Sequence, residues 1–178
     1  MRSSQPAQSV AIQFRQVEMT DAENLIHYQQ QVAQQTPFLT EESDEIQSNP
    51  DRMRAQIQAY QNSYNSLMLV AVAEDEIIAY ASLAGRQSKR EYHLAELGIT
   101  VLEAYWGYGI GNMLMDMLIE FAQASPLRIL TLEVVSHNDR AIALYQKFNF
   151  KKIATLKQRL QVNAQFLDTE LMELILEG

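Results

Sequence analysis

The sequence predicts a mixed α/β fold, and three observations carry that prediction. Apolar residues alternate or run together over strand-length stretches. Other stretches repeat apolar residues at helical spacing behind recognisable caps. The two kinds interleave as strand, two helices, three strands, helix, strand, helix and two strands, so antiparallel hairpins flank one strand–helix–strand crossover.

Residues 1–10 read as a loose polar tail and residues 11–178 as one domain. Val10 to Val17 alternates through Ile12, Phe14 and Val17, the pattern of a first strand. Thr20-Asp21-Ala22-Glu23 has the form of a capping box, with Thr20 as cap, opening a helix that runs to Gln35 before Pro37. Asn49-Pro50 announces a second helix, Asn49 capping and Pro50 in the first turn. An acidic loop with Glu41, Glu42, Asp44 and Glu45 joins the two.

Leu67 to Ala73 is nearly continuous apolar, Glu74-Asp75-Glu76 is a polar turn, and Ile77 to Ala84 completes a hairpin. His93 to Val101 is the next strand, and Gly98 inside it suggests a bulge or a close backbone approach. A helix from about Gly109 to Ala124 stacks Met113, Met117 and Phe121, and Pro126 ends it. Ile129 to Val135 is a strand and Asp139 to Phe148 a short helix. Lys151 to Gln161 and Phe166 to Leu176 form a closing hairpin.

Composition narrows the function classes. A chain of 178 residues with 47% hydrophobic content can bury a sizeable core. No run of about 18 apolar residues suggests a membrane span, and Met1 to Gln8 lacks the apolar stretch of a signal peptide, so the cytoplasm is the expected compartment. The absence of cysteine excludes disulfides, thiolate metal sites and cysteine nucleophiles. His27, His93 and His137 are too dispersed to suggest a metal site. A net charge of −8 argues against nucleic acid as a partner. It also means that a phosphate-bearing ligand must be held by local backbone donors.

Such donors are offered by Trp106-Gly107-Tyr108-Gly109-Ile110-Gly111, between a strand and a helix. Glycine lets the chain turn sharply, and the helix start presents unpaired N–H groups and a positive dipole end, which together hold a pyrophosphate without a lysine. The glycines also serve a plain tight turn. A P-loop would need Lys-Ser or Lys-Thr after its last glycine, but Gly111 is followed by Asn112 and Met113. A dinucleotide fingerprint would need glycine at Asn112 and an early position in the chain. Glu133 could still act as its ribose-binding acid, which keeps a dinucleotide-binding enzyme as a lesser alternative.

The loop resembles the acetyl-CoA motif of the GNAT superfamily of N-acetyltransferases, Arg/Gln-x-x-Gly-x-Gly/Ala, with Trp106 in place of Arg or Gln. That departure is similar to the subgroup containing ribosomal-protein N-terminal acetyltransferases and their small-molecule relatives. A second family motif appears as Asn138, Ala141, Leu144-Tyr145, Lys147 and Asn149-Phe150, with Asn149 where glycine is usual. Asn also tolerates the left-handed conformation needed after a helix. The likeness extends to Arg15–Leu25 and Asp168–Leu176, covering nearly all of the chain from about residue 11.

The resemblance implies a mixed, mostly antiparallel twisted sheet flanked by helices, with a central strand pair splayed between the ends near Val101 and Val135. It implies acetyl-CoA as cosubstrate and no metal. The pantetheine arm would pair with Ile99, Thr100 and Val101, and the pyrophosphate would rest on Gly107, Tyr108, Gly109, Ile110, Gly111 and Asn112, with Trp106, Asn138, Ala141 and Tyr145 also at the cofactor. Tyr145 would protonate the departing thiolate, or else simply pack in the core. Asn138 has a second use as a helix cap.

The resemblance also implies a primary amine as acceptor, on a small molecule or a peptide N-terminus, attacking directly in a ternary complex. Its base would be Glu133 or Glu96, and the twelve-residue spacing from Glu133 to Tyr145 favours Glu133. A base buried beside the thioester would have a raised pKa. His93 and His137 are lesser candidates as proton shuttles, and the acidic loop would either favour a cationic amine or face solvent. A non-catalytic acyl-CoA-binding module is the alternative, and retention of Tyr145 beside the glycine loop favours the enzyme. A homodimer is compatible with this reading.

Overall fold

The strands and helices of the computed structural model follow the expected order through residues 10–39, 41–46 and 48–177, which are the residues described. The expected tail lies outside these except for Val10, as does the segment Met1 to Gln8. The elements are β1 (Ile12–Gln16), α1 (Ala22–Gln35), α2 (Pro50–Gln61), β2 (Leu67–Ala73), β3 (Glu76–Gly85), β4 (Leu94–Val101), α3 (Ile110–Gln123), β5 (Ile129–Val135), α4 (Asp139–Lys147), β6 (Lys151–Val162) and β7 (Gln165–Ile175). Single 3₁₀ turns, Met19–Asp21 and Glu103–Tyr105, precede α1 and the glycine loop.

The strands form one sheet in the order β1-β2-β3-β4-β5-β7-β6. Only β4 and β5 pair in parallel, joined through α3, and every other neighbouring pair is antiparallel. β2 is buried along nearly its whole length, which is why it reads as a continuous apolar run. The α3 core face is Ile110, Leu114, Met115, Leu118 and Ala122, each nearly inaccessible. The expected row of Met113, Met117 and Phe121 lies beside that face, with Met113 exposed.

Two local expectations are corrected. Thr20 and Glu23 do not form the cap of α1. The 3₁₀ turn shifts the entry, so Asp21 instead accepts the Glu18 amide at 2.7 Å and a two-pronged contact from Arg15 at 2.7 and 2.9 Å. Glu23 turns outward to Arg54 of α2, 2.6 Å away. At Gly98 there is no bulge: the β3–β4 register is unbroken, and the shift falls between β2 and β3 at Ala71/Val72. A Cβ at Gly98 would meet Ser82 Oγ at an ordinary 3.6 Å.

Candidate active site

β4 and β5 run side by side only from Leu94–Ile129 to Glu96–Thr131. Beyond Glu96, β4 is paired with β3 alone, and beyond Thr131, β5 is paired with β7 alone. The two strands therefore part, and Ile99, Thr100 and Val101 stand on the open edge of β4, where the sequence reading sets them. On the neighbouring face, Thr100 Oγ1 shares a hydrogen bond of 2.9 Å with the Tyr28 hydroxyl of α1.

The glycine loop lies at the wide end of this opening, between the end of β4 and the first turn of α3. Gly107 and Gly109 have φ of 82° and 78°, in the left-handed region. A Cβ on either would meet nothing within 4 Å, so backbone conformation, not crowding, calls for glycine there. Gly111 differs: a Cβ would lie 3.2 Å from Leu144 Cδ2, so this glycine lets α3 approach α4. Trp106 closes the end of β4 by donating its indole N–H to the Val101 carbonyl at 2.8 Å. Tyr108 is exposed, and Ile110 is buried as the first core residue of α3.

Asn138 caps α4, its Oδ1 accepting the Ala141 amide at 3.3 Å. This is the plainer of its two expected uses, and it leaves the side-chain NH₂ to donate elsewhere. At the other end of α4 the Phe150 amide reaches back to the Tyr145 carbonyl and the Asn149 amide to that of Gln146, both at 3.0 Å. Asn149 takes the left-handed φ of 66° that such an ending requires. The turn folds Phe150 against Tyr145, with ring centroids 6.0 Å apart, and fixes the phenol.

The Tyr145 side chain is buried, yet its hydroxyl makes no hydrogen bond among the described residues and is not sealed from solvent. Burial alone pushes this phenol well above its ordinary range, so it keeps its proton at neutral pH.

The two candidate glutamates have different surroundings. Glu133 accepts from Thr169 Oγ1 of β7 at 2.6 Å and pairs with Arg159 Nε of β6 at 3.2 Å. Glu96 has no ion pair or hydrogen bond among the described residues. It faces Tyr60 of α2, whose phenol is pushed up by burial and then by the Glu96 charge. Both carboxylates are exposed, so the expectation of a buried base is not met.

His93 precedes β4 at the end opposite the glycine loop, three residues and about 10 Å from Glu96 at roughly 3.3 Å per strand residue. His137 lies edge-on to Phe38, with ring centroids 5.3 Å apart. From the acidic loop, Glu41 and Glu45 line a cleft of about 390 Å³ with Gln29, Arg52 and Gln56, so part of that loop faces a cation as well as solvent.

Leu144 and Lys147 stand in the second motif, but Arg140 escaped the sequence reading, as did the stripe the three form on α4. Arg140, Leu144 and Lys147 follow one another at helical spacing and all meet the glycine loop or its helix. Arg140 lies 4.1 Å from the centre of the Trp106 ring, Leu144 packs at Gly111, and Lys147 donates to Asn112 Oδ1. The spacing was visible in the sequence, but which loop it faces was not.

One parallel strand pair in a mainly antiparallel sheet, parting at a glycine turn that feeds a helix, defines the acyltransferase-type architecture implied by the resemblance. It is not the parallel sheet that a dinucleotide-binding unit needs. The chain belongs to the acetyltransferase (GNAT) family, whose sequence pattern matches residues 31–150. It is 32% identical over 89 residues to the N-alpha-acetyltransferase RimI of Mycobacterium tuberculosis, covering 49% of this chain and 53% of that protein.

It is also 28% identical over 106 residues to the L-amino acid N-acetyltransferase AaaT of Escherichia coli, covering 58% and 65% of the two chains. The match thus spans less than two thirds of either relative. A GNAT-family acetyltransferase from Streptococcus pneumoniae superposes with a TM-score of 0.90 at 29% identity, covering 94% of this chain and all of that one. No helix among the described residues is long and apolar enough to cross a membrane.

Proposed function

We propose that this chain transfers the acetyl group of acetyl-CoA to a primary amine in a ternary complex. The observation that carries the reading is the open β4 edge between Glu96 and the glycine loop. Residues 97–101 supply about 17 Å of strand edge at roughly 3.3 Å per residue, room for an arm with two amides to pair as an added strand. With the diphosphate on the amides of Gly107 to Asn112 and the arm along Ile99 to Val101, the thioester comes to the apex beside Glu96.

Glu96 then takes the proton of the acceptor ammonium, directly or through water. The amine nitrogen forms the new C–N bond at the acetyl carbonyl carbon. As the C–S bond breaks, Tyr145 delivers its phenolic proton to the sulfur; the nitrogen gives up its second proton, which returns to the phenol through solvent, and the proton taken by Glu96 is released to solvent. The choice of Glu96 over Glu133 reverses the preference drawn from spacing. It rests on the two partners that engage Glu133 and on the apex position of Glu96. The unpartnered Tyr145 hydroxyl favours an enzyme over a binding module.

An α-amine is the first acceptor to test, because the two named relatives share that chemistry in their names. The test is thiol release from acetyl-CoA with a panel of free amino acids, short peptides, polyamines and aminoglycosides. Release with at least one α-amine, and an acetylated product by mass spectrometry, is expected. Acetyl-CoA binding without release across the panel would leave the binding-module reading in its place.

A further inference from the structure

We propose that Arg140, held over the Trp106 ring, is a phosphate-binding residue for the cosubstrate, and that Lys147 reinforces it from the same stripe of α4. The assignment rests on the acetyl-CoA reading above. Three independent contacts bring this stripe to the phosphate loop: Arg140 over the Trp106 ring at 4.1 Å, Leu144 Cδ2 at the position facing Gly111, and Lys147 Nζ on Asn112 Oδ1. These touch the loop at its entry, its last glycine and the first turn of α3 in turn.

The charges are available. The ion pairs of the described residues engage Arg15, Arg54, Lys152, Lys157 and Arg159, and none involves Arg140 or Lys147. In a chain of net charge −8, two cations without carboxylate partners beside one glycine loop are a local reversal of sign. The Arg140 guanidinium is held by a ring face, which leaves its N–H edge free to fork onto phosphate oxygens. Partial burial disfavours its charge, a cost that an incoming anion would relieve.

Trp106 therefore has two roles. Its indole N–H fastens the end of β4, and its face carries the cation. The tryptophan thus presents an arginine from the neighbouring helix to the loop.

The ligand chemistry is a phosphate of the CoA moiety, and either the diphosphate or the 3′-phosphate supplies it. Calorimetric titrations of wild type, Arg140→Gln, Arg140→Lys, Lys147→Gln and Trp106→Phe with acetyl-CoA and acetyl-3′-dephospho-CoA separate the two. Lys89→Gln, on the exposed loop at the other end of β4, controls for net charge, and thermal melts check folding.

Arg140→Gln should weaken acetyl-CoA about tenfold or more, as loss of a charge-assisted hydrogen bond does. Arg140→Lys should recover part of the loss and Lys89→Gln should lose little. A loss that persists with the dephospho form assigns the diphosphate, and a loss confined to acetyl-CoA assigns the 3′-phosphate. Arg140→Gln binding both ligands like wild type, or Lys89→Gln weakening them equally, overturns the proposal. Failure of wild type to bind either ligand would instead remove the acetyl-CoA reading, and this assignment with it.

Discussion

Glu96 on β4 and Thr131 on β5 form the last paired position before the two strands separate, so Glu96 stands at the apex of the cleft. Glu133, two residues further along β5, is drawn toward β6 and β7 by Arg159 and Thr169. A base must be able to accept a proton, and a carboxylate already receiving two donors is poorly placed to do so.

Glu96→Gln should therefore lower kcat by about 10²–10⁴-fold, the usual contribution of a general base. Glu133→Gln should change it far less. The comparison is a pH–rate profile of both variants and wild type at saturating acceptor. The loss should fall on Glu96→Gln across the profile, and the opposite pattern would return the role to Glu133.

For Tyr145 the structure separates packing from chemistry. The ring is buried against Phe150, while the hydroxyl has no hydrogen-bond partner among the described residues to lose. Tyr145→Phe should leave the folding free energy within about 0.5 kcal/mol of wild type, because no buried donor is stranded. Turnover should nevertheless fall by about 10²–10⁴-fold with cosubstrate affinity unchanged. Chemical denaturation together with single-turnover kinetics reads both quantities. Normal turnover would leave Tyr145 as a core residue only.

Elements whose signals are local were legible in the sequence. Leu67–Ala73 and Ile129–Val135 match the observed strands residue for residue, because short apolar runs between polar turns bound them on both sides. Asn49 caps α2 by accepting the Asp51 amide at 2.9 Å, and Asn149 takes the left-handed turn. What depends on distant partners was not legible. Thr169, which engages Glu133, is 36 residues away in sequence. Asn65 is fully buried because its amide ties the Arg86 and Tyr92 carbonyls, each at 2.9 Å, across the loop before β4. The Trp106–Arg140 stack likewise arises only when α4 folds back on the loop.

Gly109 tests how the loop holds its amides. Its φ of 78° suits glycine, and a Cβ there meets nothing, so substitutions should report conformation rather than collision. Left-handed geometry costs an ordinary residue about 1–2 kcal/mol, and Asn pays least among them. Affinity for acetyl-CoA should fall in the order Gly, Asn, Ala, Val, measured by titration calorimetry. Equal affinity for Asn and Val at this position would mean that the loop is not conformationally constrained.

Asp21 couples acid stability to the site through α1. Arg15 donates to it at 2.7 and 2.9 Å, and the Glu18 amide adds a third contact at 2.7 Å, fastening β1 to the entry of the helix that carries Tyr28 to Thr100. The Arg15 contact, aided by the Glu18 amide and opposed by burial, holds the Asp21 carboxyl below its ordinary range. A depressed folded-state pKa contributes stability that is present above the unfolded value, about 3.9 for Asp. That contribution is lost as pH falls through the lower folded value. Asp21→Asn should be less stable than wild type at pH 7 by about 1–3 kcal/mol, the scale of hydrogen bonds to a charged group. The gap should narrow below about pH 4, where the unfolded wild-type chain takes up a proton on this carboxylate before the folded one does. Urea unfolding of both proteins from pH 7 to pH 2.5 measures it. A gap constant across that range would show that the Arg15–Asp21 pair is not the source of the acid dependence.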